Sequence, residues 1–256
     1  MKKLEHKDLL DAGVHFGHLT RKWNPAMAPY IFMEKNGIHI IDLHKTLANL
    51  EDATESLKAI VRSGRKVMFV ATKKQAKEVV ETEAQKLKMP YVTERWLGGM
   101  LTNFATIRKS LKKMTSMEKM MKEEAYQNLA KRERLMMTRE KDKLRKVLGG
   151  IADLNRLPAA LFVIDIKREH IAIAEAQKLN IPVFGMVDTN SDPNKIDYPI
   201  PGNDDAFKSI QLITQWIGAS LEEALAERKK DKEEQAEAEE VAVKKSADEK
   251  PEEVSE

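Results

Sequence analysis

Two stretches of the sequence place basic side chains at a turn into a helix, an arrangement that binds phosphate in many proteins. In the first, Lys73 and Lys74 follow the apolar run "VMFV". In the second, "RWLGGMLTNFATIRKSLKKM" (95–114), two glycines precede apolar residues at helical spacing with Arg and Lys between them. Neither contains G-x-x-x-x-G-K-S/T or G-x-G-x-x-G, so we expect no mononucleotide site. Lys73 and Lys74 remain candidates for one phosphate of a nucleic-acid backbone, and a helix start capped by Thr72 is the alternative.

Two aspartates are placed where an α/β enzyme would hold an acid and a base. Asp165 ends the apolar run "AALFVID" and Asp188 ends "IPVFGMVD", and ligands of α/β proteins bind at the carboxyl ends of strands. An enzyme acting on a phosphorylated substrate is therefore the rival hypothesis. No histidine nucleophile system or second carboxylate motif accompanies the two residues, so we favour turn-forming and capping roles for them.

A calcium loop is also suggested by the acidic segment that follows Asp188. Asp188, Asn190 and Asp192 match the first three ligand positions of such a loop. However, Pro193 occupies the position that requires glycine, and Pro199 the position that requires a bidentate glutamate. We therefore reject a calcium site here.

The histidines near the N-terminus raise the question of zinc. His15 and His18 in "HFGH" could bind zinc if His39 or His44 joined them. The chain contains no cysteine, so a thiolate ligand is excluded and a reducing cytoplasm is indicated. We favour hydrogen-bonding or RNA-stacking roles for these histidines, and we expect neither a metal nor a cofactor.

The segment "HLTRKWNPAMAPYIFMEKNG" interleaves cations with aromatic rings, a mixture that suits phosphate pairing and base stacking. Its cations are Arg21, Lys22 and Lys35, and its aromatic residues include Trp23, Tyr30 and Phe32. The alternative is a non-helical arm, interrupted by Pro25 and Pro29, that packs against a sheet. Both interpretations can hold for different faces of the segment.

Helix and strand patterns alternate through most of the chain. The predicted strands lie in "KVMFVATKK", "MPYVTERW", "AALFVID" and "IPVFGMVD", and the predicted helices in "HKTLANLEDATESLKAIVRSG", "KQAKEVVETEAQKLK", "KREHIAIAEAQKLN" and "NDDAFKSIQLITQWIGASLEEALAE". The last helix is expected to hold Asp204 and Asp205 in its first turn, where acidic groups are favourable. This alternation predicts an α/β fold with a doubly wound parallel sheet of the flavodoxin or Rossmann type, formed by residues 1–103 and 151–225.

Residues 104–150 depart from the alternation. Apolar residues recur every three or four positions along the first half, as in a coiled-coil seam: Phe104, Ile107, Leu111, Met114, Met117 and Met121. A second helical pattern runs from about 129 to 148. The segment therefore predicts an antiparallel coiled-coil hairpin inserted into the sheet domain.

Charge is distributed unevenly along the 256 residues. The net charge is +3, but residues 104–150 carry +8, whereas 151–225 and 226–256 carry −5 each. Such asymmetry indicates a polyanionic partner on one side of the molecule. No apolar run approaches the length of a membrane span. Residues 226–256 have too few large apolar side chains to form a core, which predicts a frayed helix that passes into a disordered acidic tail.

Four stretches together resemble one family, the bacterial-type protein two of the small ribosomal subunit. They are "HFGHLTRKWNPAMAPYIFMEKNGIHIIDLHKT" (15–46), "RWLGGMLTNFATIRKSL" (95–111), "LGGIADL" (148–154) and the long run from 160 to 206 that ends "IPGNDDA". Ala71 and Ile166 stand where the family usually has glycine and proline, and the hairpin tip lacks the usual glycine turn.

The resemblance implies a five-stranded parallel sheet with a protruding coiled-coil hairpin, in a non-catalytic protein without a small-molecule substrate or a membrane. It further implies a cytoplasmic place in the ribosome, where the protein bridges the head and body of the small subunit, binds its rRNA and helps recruit the large mRNA-binding protein one. The expected RNA-binding residues are Arg21, Lys22, Trp23, Lys73, Lys74, Arg95, Asn103, Arg108, Lys109 and Lys112.

Overall fold

A computed structural model describes residues 4–123, 126 and 128–248, and for 232–248 it describes the backbone alone. Its main sheet has five parallel strands in the order β5-β4-β6-β7-β8. The strands are β4 (Val67–Val70), β5 (Tyr91–Val92), β6 (Ala160–Ile164), β7 (Val183–Val187) and β8 (Tyr198–Pro201). The predicted α/β fold with a parallel sheet is confirmed.

Seven helices surround the sheet in the described part of the chain: α1 (His6–Asp11), α2 (Leu43–Arg62), α3 (Lys77–Lys86), α4 (Phe104–Met120), α5 (Lys131–Leu148), α6 (His170–Lys178) and α7 (Phe207–Asp248). Alternate strand residues enter two separate cores. Phe69, Phe162 and Phe184 pack with α2, α3 and α7 on one face. Met68 and Leu161 pack with α4 and α6 on the other. Because both faces are covered, the central strands are continuous apolar runs.

A second, antiparallel sheet lies near the N-terminus. It consists of β1 (Phe16–Leu19), β2 (Ile31–Lys35) and β3 (Ile38–Ile41), in the order β1-β3-β2. The arm interpretation of this segment missed the sheet, although its prolines do lie outside the strands, in the 3-10 helix Pro25–Tyr30. The Asn-Gly pair at 36–37, which has positive φ at both residues, is the hairpin signal that could have predicted it.

Two further predictions at the end of the sheet need correction. The acidic segment after Asp188, which was interpreted as a loop, contains strand β8. Its Pro199 and Pro201 are tolerated because β8 lies at the edge of the sheet. Asp204 and Asp205 do not lie in the first turn of α7, which begins at Phe207. The Asn203 side chain ends the preceding turn by accepting hydrogen bonds from the N–H groups of Asp205 and Ala206.

Helices α4 and α5 lie against each other, with Ile107, Leu111, Met114 and Met117 buried along the predicted seam. An ion pair joins Lys113 of α4 to Glu140 of α5. The coiled-coil geometry and the domain boundaries at 104 and 150 stay predictions. At the tip, residues 124, 125 and 127 lie outside the described residues.

The tail was predicted as a frayed helix that passes into disorder, and this stays a prediction. The backbone of α7 continues through 226–248. Ala, Glu and Lys, which dominate this segment, are strong helix formers. The rest of that prediction, on 249–256, lies outside the described residues. In the described part of the chain, every helix is too short or too polar to cross a membrane.

Candidate nucleic-acid interface

The glycine loop between β5 and α4 binds an anion, which is a side-chain carboxylate of the protein itself. The carboxylate of Glu175, on α6, accepts hydrogen bonds from the backbone N–H groups of Gly99 at 2.7 Å, Leu101 at 2.9 Å and Thr102 at 3.0 Å. It also accepts from the Thr102 hydroxyl and from the Trp96 indole at 3.1 Å. With these donors occupied, the loop is not available to hold the phosphate of a ligand.

Glu175 owes its ionised state to this loop. Burial by itself raises the pKa of the carboxyl, but the hydrogen bonds from Thr102, Leu101, Trp96 and Gly99 outweigh it and lower the pKa below its ordinary value. Gly99 has φ +86°, which allows the sharp turn that aims the donors inward. Glu175 is not among the residues that the sequence predicted for a site. The signal was a single acidic residue among the apolar positions of "HIAIAEAQ".

Helix α4 starts directly after this loop. Asn103 occupies its N-cap position, but its side chain accepts no hydrogen bond from the helix backbone; its Oδ1 accepts one from the Thr106 hydroxyl at 2.9 Å instead. The loop and Glu175 together therefore set the direction in which α4 leaves the sheet domain.

One face of α4 borders a basic groove of about 370 Å³. Arg108, Lys112 and Lys119 line it from the helix, and the other wall includes Ala152, Leu154 and Asn155. Residues four apart share one face of a helix, so Arg108 and Lys112 present their charges together. The groove offers a row of cations along the helix to a polyanion.

The charges of α4 separate into paired and unpaired sets. Lys113 is engaged by Glu140 of α5. By contrast, Arg108, Lys109 and Lys112 are exposed and, among the described residues, form no ion pair. These three sequence-predicted residues therefore lie together on one helix and keep their full charge for a partner.

Arg21, Lys22 and Trp23 follow strand β1 in a second exposed cluster. Trp23 is 39% exposed, and its ring centroid lies 5.1 Å from that of His39. The neighbouring Asn24 donates its backbone N–H to the Thr189 carbonyl at 2.8 Å, which fixes this cluster beside the carboxyl end of β7. Trp23 thus presents a ring face that is held in place on one side and open to solvent on the other.

Lys73 and Thr72 are not accessible to a nucleic acid. Lys73 is buried, and its Nζ lies 2.7 Å from Asp204, 2.5 Å from Asp205 and 3.6 Å from Asp165. Thr72 caps no helix, since α3 begins at Lys77 and the Thr72 N–H donates to Glu169 at 3.0 Å. The sequence places Lys73 and Lys74 on equal terms, but only Lys74 is exposed, as are Arg95 and Asn103.

Both strand-end aspartates make structural contacts, but only Asp165 has the turn-forming contact that was expected. Asp165 accepts a hydrogen bond from the Arg168 N–H at 3.1 Å and so closes a turn. Asp188 is 1% exposed and accepts from the N–H and hydroxyl of Thr189 through Oδ1. Its Oδ2 lies 3.0 Å from Nδ1 of His18.

These aspartates belong to a larger group, hereafter the acidic cluster: Asp165, Asp188, Asp204 and Asp205, with Lys73 and His18. Burial, together with the charges of Asp188 and Asp165, raises the pKa of Asp204 to about 7. Asp188 and its neighbours raise the pKa of His18 against the effect of burial. Negative charge is therefore in excess at the carboxyl edge of the sheet.

Comparison with known proteins gives a consistent result. The family described as Ribosomal protein S2 matches residues 9–224. The chain is 72% identical over 247 residues to the small ribosomal subunit protein uS2 of Cytophaga hutchinsonii, covering 96% of this chain and 97% of the relative. It is 62% identical over 234 residues to the same protein of Flavobacterium johnsoniae, covering 91% and 92% of the two chains.

Proposed function

The chain belongs to the ribosomal protein S2 family, and on that premise we propose that its basic α4 surface binds the rRNA of the small subunit. As a member of this family it is a structural constituent of the bacterial small ribosomal subunit and is not an enzyme. Its place is in the ribosome, in the bacterial cytoplasm, with rRNA and other ribosomal proteins as neighbours.

The basic groove along α4 carries the proposal. Arg108 and Lys112 line it, and with Lys109 they form an exposed row that no described carboxylate neutralises. Cations held in a row suit the phosphate backbone, which is the sequence-independent part of RNA binding. Because the Gly99 loop is filled by Glu175, the binding surface is the helix itself.

The cluster after β1 supplies a second contact in this proposal. Arg21 and Lys22 would bind phosphate, and the half-open ring of Trp23 would stack on an unpaired base. Lys74 and Arg95, both exposed, complete the set. Lys73 is excluded from the proposed RNA-binding residues, because its ammonium group is already surrounded by carboxylates.

The salt dependence of binding tests the proposal. The protein is titrated onto small-subunit particles assembled without it, over a series of salt concentrations. Each neutralised phosphate contributes about 0.9 to the log–log slope, so Arg108→Ala, Lys109→Ala and Lys112→Ala together should flatten the slope by up to about 3 units.

A matched triple variant controls for the loss of three charges. Lys58, Arg62 and Lys86 pair with glutamates of α7 on the opposite face of the sheet. Their replacement by alanine changes the net charge equally and should leave the slope as it is. An unchanged slope in the α4 variant, or an equal change in both variants, removes α4 from the RNA interface.

We also propose the finer roles that family membership implies, namely bridging the head and body of the subunit and helping to recruit the large mRNA-binding protein one. The test is the protein content of subunits assembled with and without this chain, measured by quantitative mass spectrometry. Recruitment requires that protein one falls in the depleted subunits and returns when this chain is added back. Equal amounts in both preparations contradict it.

A further inference from the structure

A cavity of about 480 Å³ lies at the carboxyl ends of β6 and β7, beside the cluster that follows β1. Its volume is in the range of cavities that enclose small molecules. We propose that this cavity holds the base of one unpaired rRNA nucleotide, next to a base that stacks on Trp23. The inference rests on the second contact of the proposed function and adds a site that is separate from the α4 groove.

Three segments of the chain form the walls of the cavity. One is the turn after β6 with the start of α6, another is the loop after β7 with the 3-10 helix Pro193–Lys195, and Asn24 borders the third side. Gln177 of α6 donates its side-chain amide to the Lys195 carbonyl at 2.8 Å. The N–H of Asn24 donates to the Thr189 carbonyl, also at 2.8 Å. These hydrogen bonds connect the walls, so the cavity exists before a ligand binds.

The floor of the cavity is apolar, and a glycine of β7 gives it depth. Ile166 and Ile173 are buried and line the cavity. A Cβ at Gly185 would lie 2.9 Å from Cγ2 of Ile166 and 2.8 Å from Cδ1 of Ile196. Because that Cβ is missing, the isoleucine side chains pack against the sheet and leave room for a ligand. An apolar floor suits the face of a nucleobase and offers nothing to a free phosphate.

The polar lining groups suit the edge and the ring face of a base. The side-chain amides of Asn24, Asn190 and Gln177 line the cavity, and amides carry both donors and acceptors. The Ser191 hydroxyl donates to Oδ1 of Asn190 at 2.6 Å and orients that amide. His170 also lines the cavity, with Nδ1 held 3.2 Å from a backbone carbonyl. A histidine ring in this place can stack on an unpaired base.

The charges at the cavity favour a nucleotide that belongs to a strand. Lys167 and Lys195 line it from different walls, are exposed and form no ion pair among the described residues. The acidic lining residue is Asp192, whose Oδ1 accepts the Asn194 N–H at 3.1 Å. In the described chain, the carboxylates of the acidic cluster do not line the cavity. The two lysines can therefore bind the phosphates on either side of an inserted base.

Trp23 makes the cavity part of a longer binding track. Asn24, which borders the cavity, directly follows Trp23, whose ring is 39% exposed. Adjacent residues of the chain thus offer a stacking ring and a cavity. Single-stranded RNA is bound in this way, with successive unpaired bases placed on aromatic rings and in pockets.

The experiment uses the full-length chain and small-subunit particles assembled without it. Ala174→Leu fills the cavity without a change of charge, because Ala174 is an exposed lining residue of α6. We expect binding to weaken about 10-fold or more, the effect of losing one stacked base, with an unchanged salt slope. Ala48→Leu is the matched control, since Ala48 is exposed on α2, a helix of the opposite face of the sheet.

A second pair of variants tests the phosphate contacts. Lys167→Ala combined with Lys195→Ala should flatten the salt slope by up to about 2 units, because each neutralised phosphate contributes about 0.9. Lys178→Ala combined with Lys208→Ala is the control. Both of these lysines are exposed, lie outside the lining of the cavity and form no ion pair within the described residues, so the slope should not change.

Photo-crosslinking identifies what enters the cavity. Asn194 is exposed and lies between the lining residues Asp192 and Lys195, so p-benzoylphenylalanine at this position reaches the cavity from its rim. We expect a crosslink to one unpaired rRNA nucleotide, read as a stop of reverse transcription. If Ala174→Leu does not fold, this crosslink decides.

Four results overturn the proposal. They are wild-type binding by Ala174→Leu, an equal loss of binding in Ala48→Leu, an unchanged slope in the Lys167 and Lys195 variant, and a crosslink to protein without a crosslink to RNA. The α4 triple variant is measured on the same particles, so the two proposals fail separately. If it flattens the slope while Ala174→Leu binds like the wild type, the cavity proposal alone is wrong. If it leaves the slope unchanged while Ala174→Leu weakens binding, the α4 surface is wrong and the cavity stands.

Discussion

Trp96 donates its indole N–H to the carboxylate of Glu175 at 3.1 Å, and this contact joins the loop before α4 to the helix α6. Three backbone N–H groups of the same loop donate to the same carboxylate. The loop has the form of an anion site, and an internal glutamate fills it. Its role is to anchor the base of α4, from which the basic residues extend.

Glu175→Gln should destabilise the protein by about 2–3 kcal/mol. This is the range for loss of hydrogen bonds to a charged group when the donors that made them stay buried. The glutamine amide would place its own N–H donors opposite the N–H donors of the loop. Urea unfolding at neutral pH measures the change. Glu222→Gln, on the exposed face of α7, is the control and should change little. Equal effects of the two substitutions would contradict the anchoring role.

The Glu175 effect has a defined pH dependence. Its folded pKa lies below the ordinary value of 4.5, so the stabilisation is fully present above that value and is lost as the pH falls through the folded pKa. The wild type and Glu175→Gln should therefore differ most at neutral pH and converge in acid. A difference that grows below pH 4.5 would show that the carboxyl is protonated in the native state.

Lys73→Met and Lys74→Met should differ sharply although the two residues are adjacent. Removing the buried ammonium leaves Asp204 and its neighbours without a counter-charge, which costs about 3–5 kcal/mol. Lys74 is exposed, and its replacement should stay within about 0.5 kcal/mol. Thermal and urea unfolding of both variants check this. Similar stabilities would mean that Lys73 is not buried as described.

The buried Lys73 also predicts how the stability of the protein depends on alkaline pH. Burial alone lowers its pKa, but Asp204, Asp205 and Asp165 outweigh burial and raise the pKa above 10.5. The stabilisation is therefore complete below pH 10.5 and is lost as the pH rises through the folded pKa. The stability gap between wild type and Lys73→Met should be unaffected by pH between 8 and 10; a gap that closes in this range would argue against the ion pairs.

Gly150→Ala should destabilise the protein and Gly149→Ala should not. A Cβ at position 150 would lie 2.7 Å from a ring carbon of Tyr91 and closer still to its carbonyl oxygen, an overlap worth about 1–3 kcal/mol. Gly149 has helical angles and room for a methyl group, so alanine there should stabilise by about 0.4–1 kcal/mol. Melting temperatures of the two variants give the comparison; the reverse order would place the 149–150 turn elsewhere.

Deleting residues 232–256 should leave the melting temperature nearly unchanged. Among the side chains that the structure describes, Ala224 is the last buried one of α7, so little apolar surface is lost. A truncation after residue 220 is the contrast, because it removes Leu221 and Ala224 from the core and should cost about 2 kcal/mol or more. A large loss from the shorter deletion would reveal packing by the end of α7.

The parallel sheet was predictable because strands covered on both faces are continuous apolar runs. The runs that contain β4, β6 and β7 have no polar interruption, and the alternation with helices then determines the fold class. β8 and the small antiparallel sheet were not found. The strands β1, β2 and β3 have only four or five residues each, and β8 contains two prolines. All four are stabilised by partners that the local pattern does not show.

The sequence by itself determined the sheet fold, the excess of basic residues on 104–150 and the resemblance that led to the family. Only the tertiary structure decided which charges are free. Lys73 and Lys74 are identical residues at adjacent positions in the sequence, but the ammonium group of Lys73 pairs in the core with Asp204, 131 positions away. The physical reason is that the energy of a charge depends on its solvation and its nearest opposite charges, and these come from residues distant in the chain.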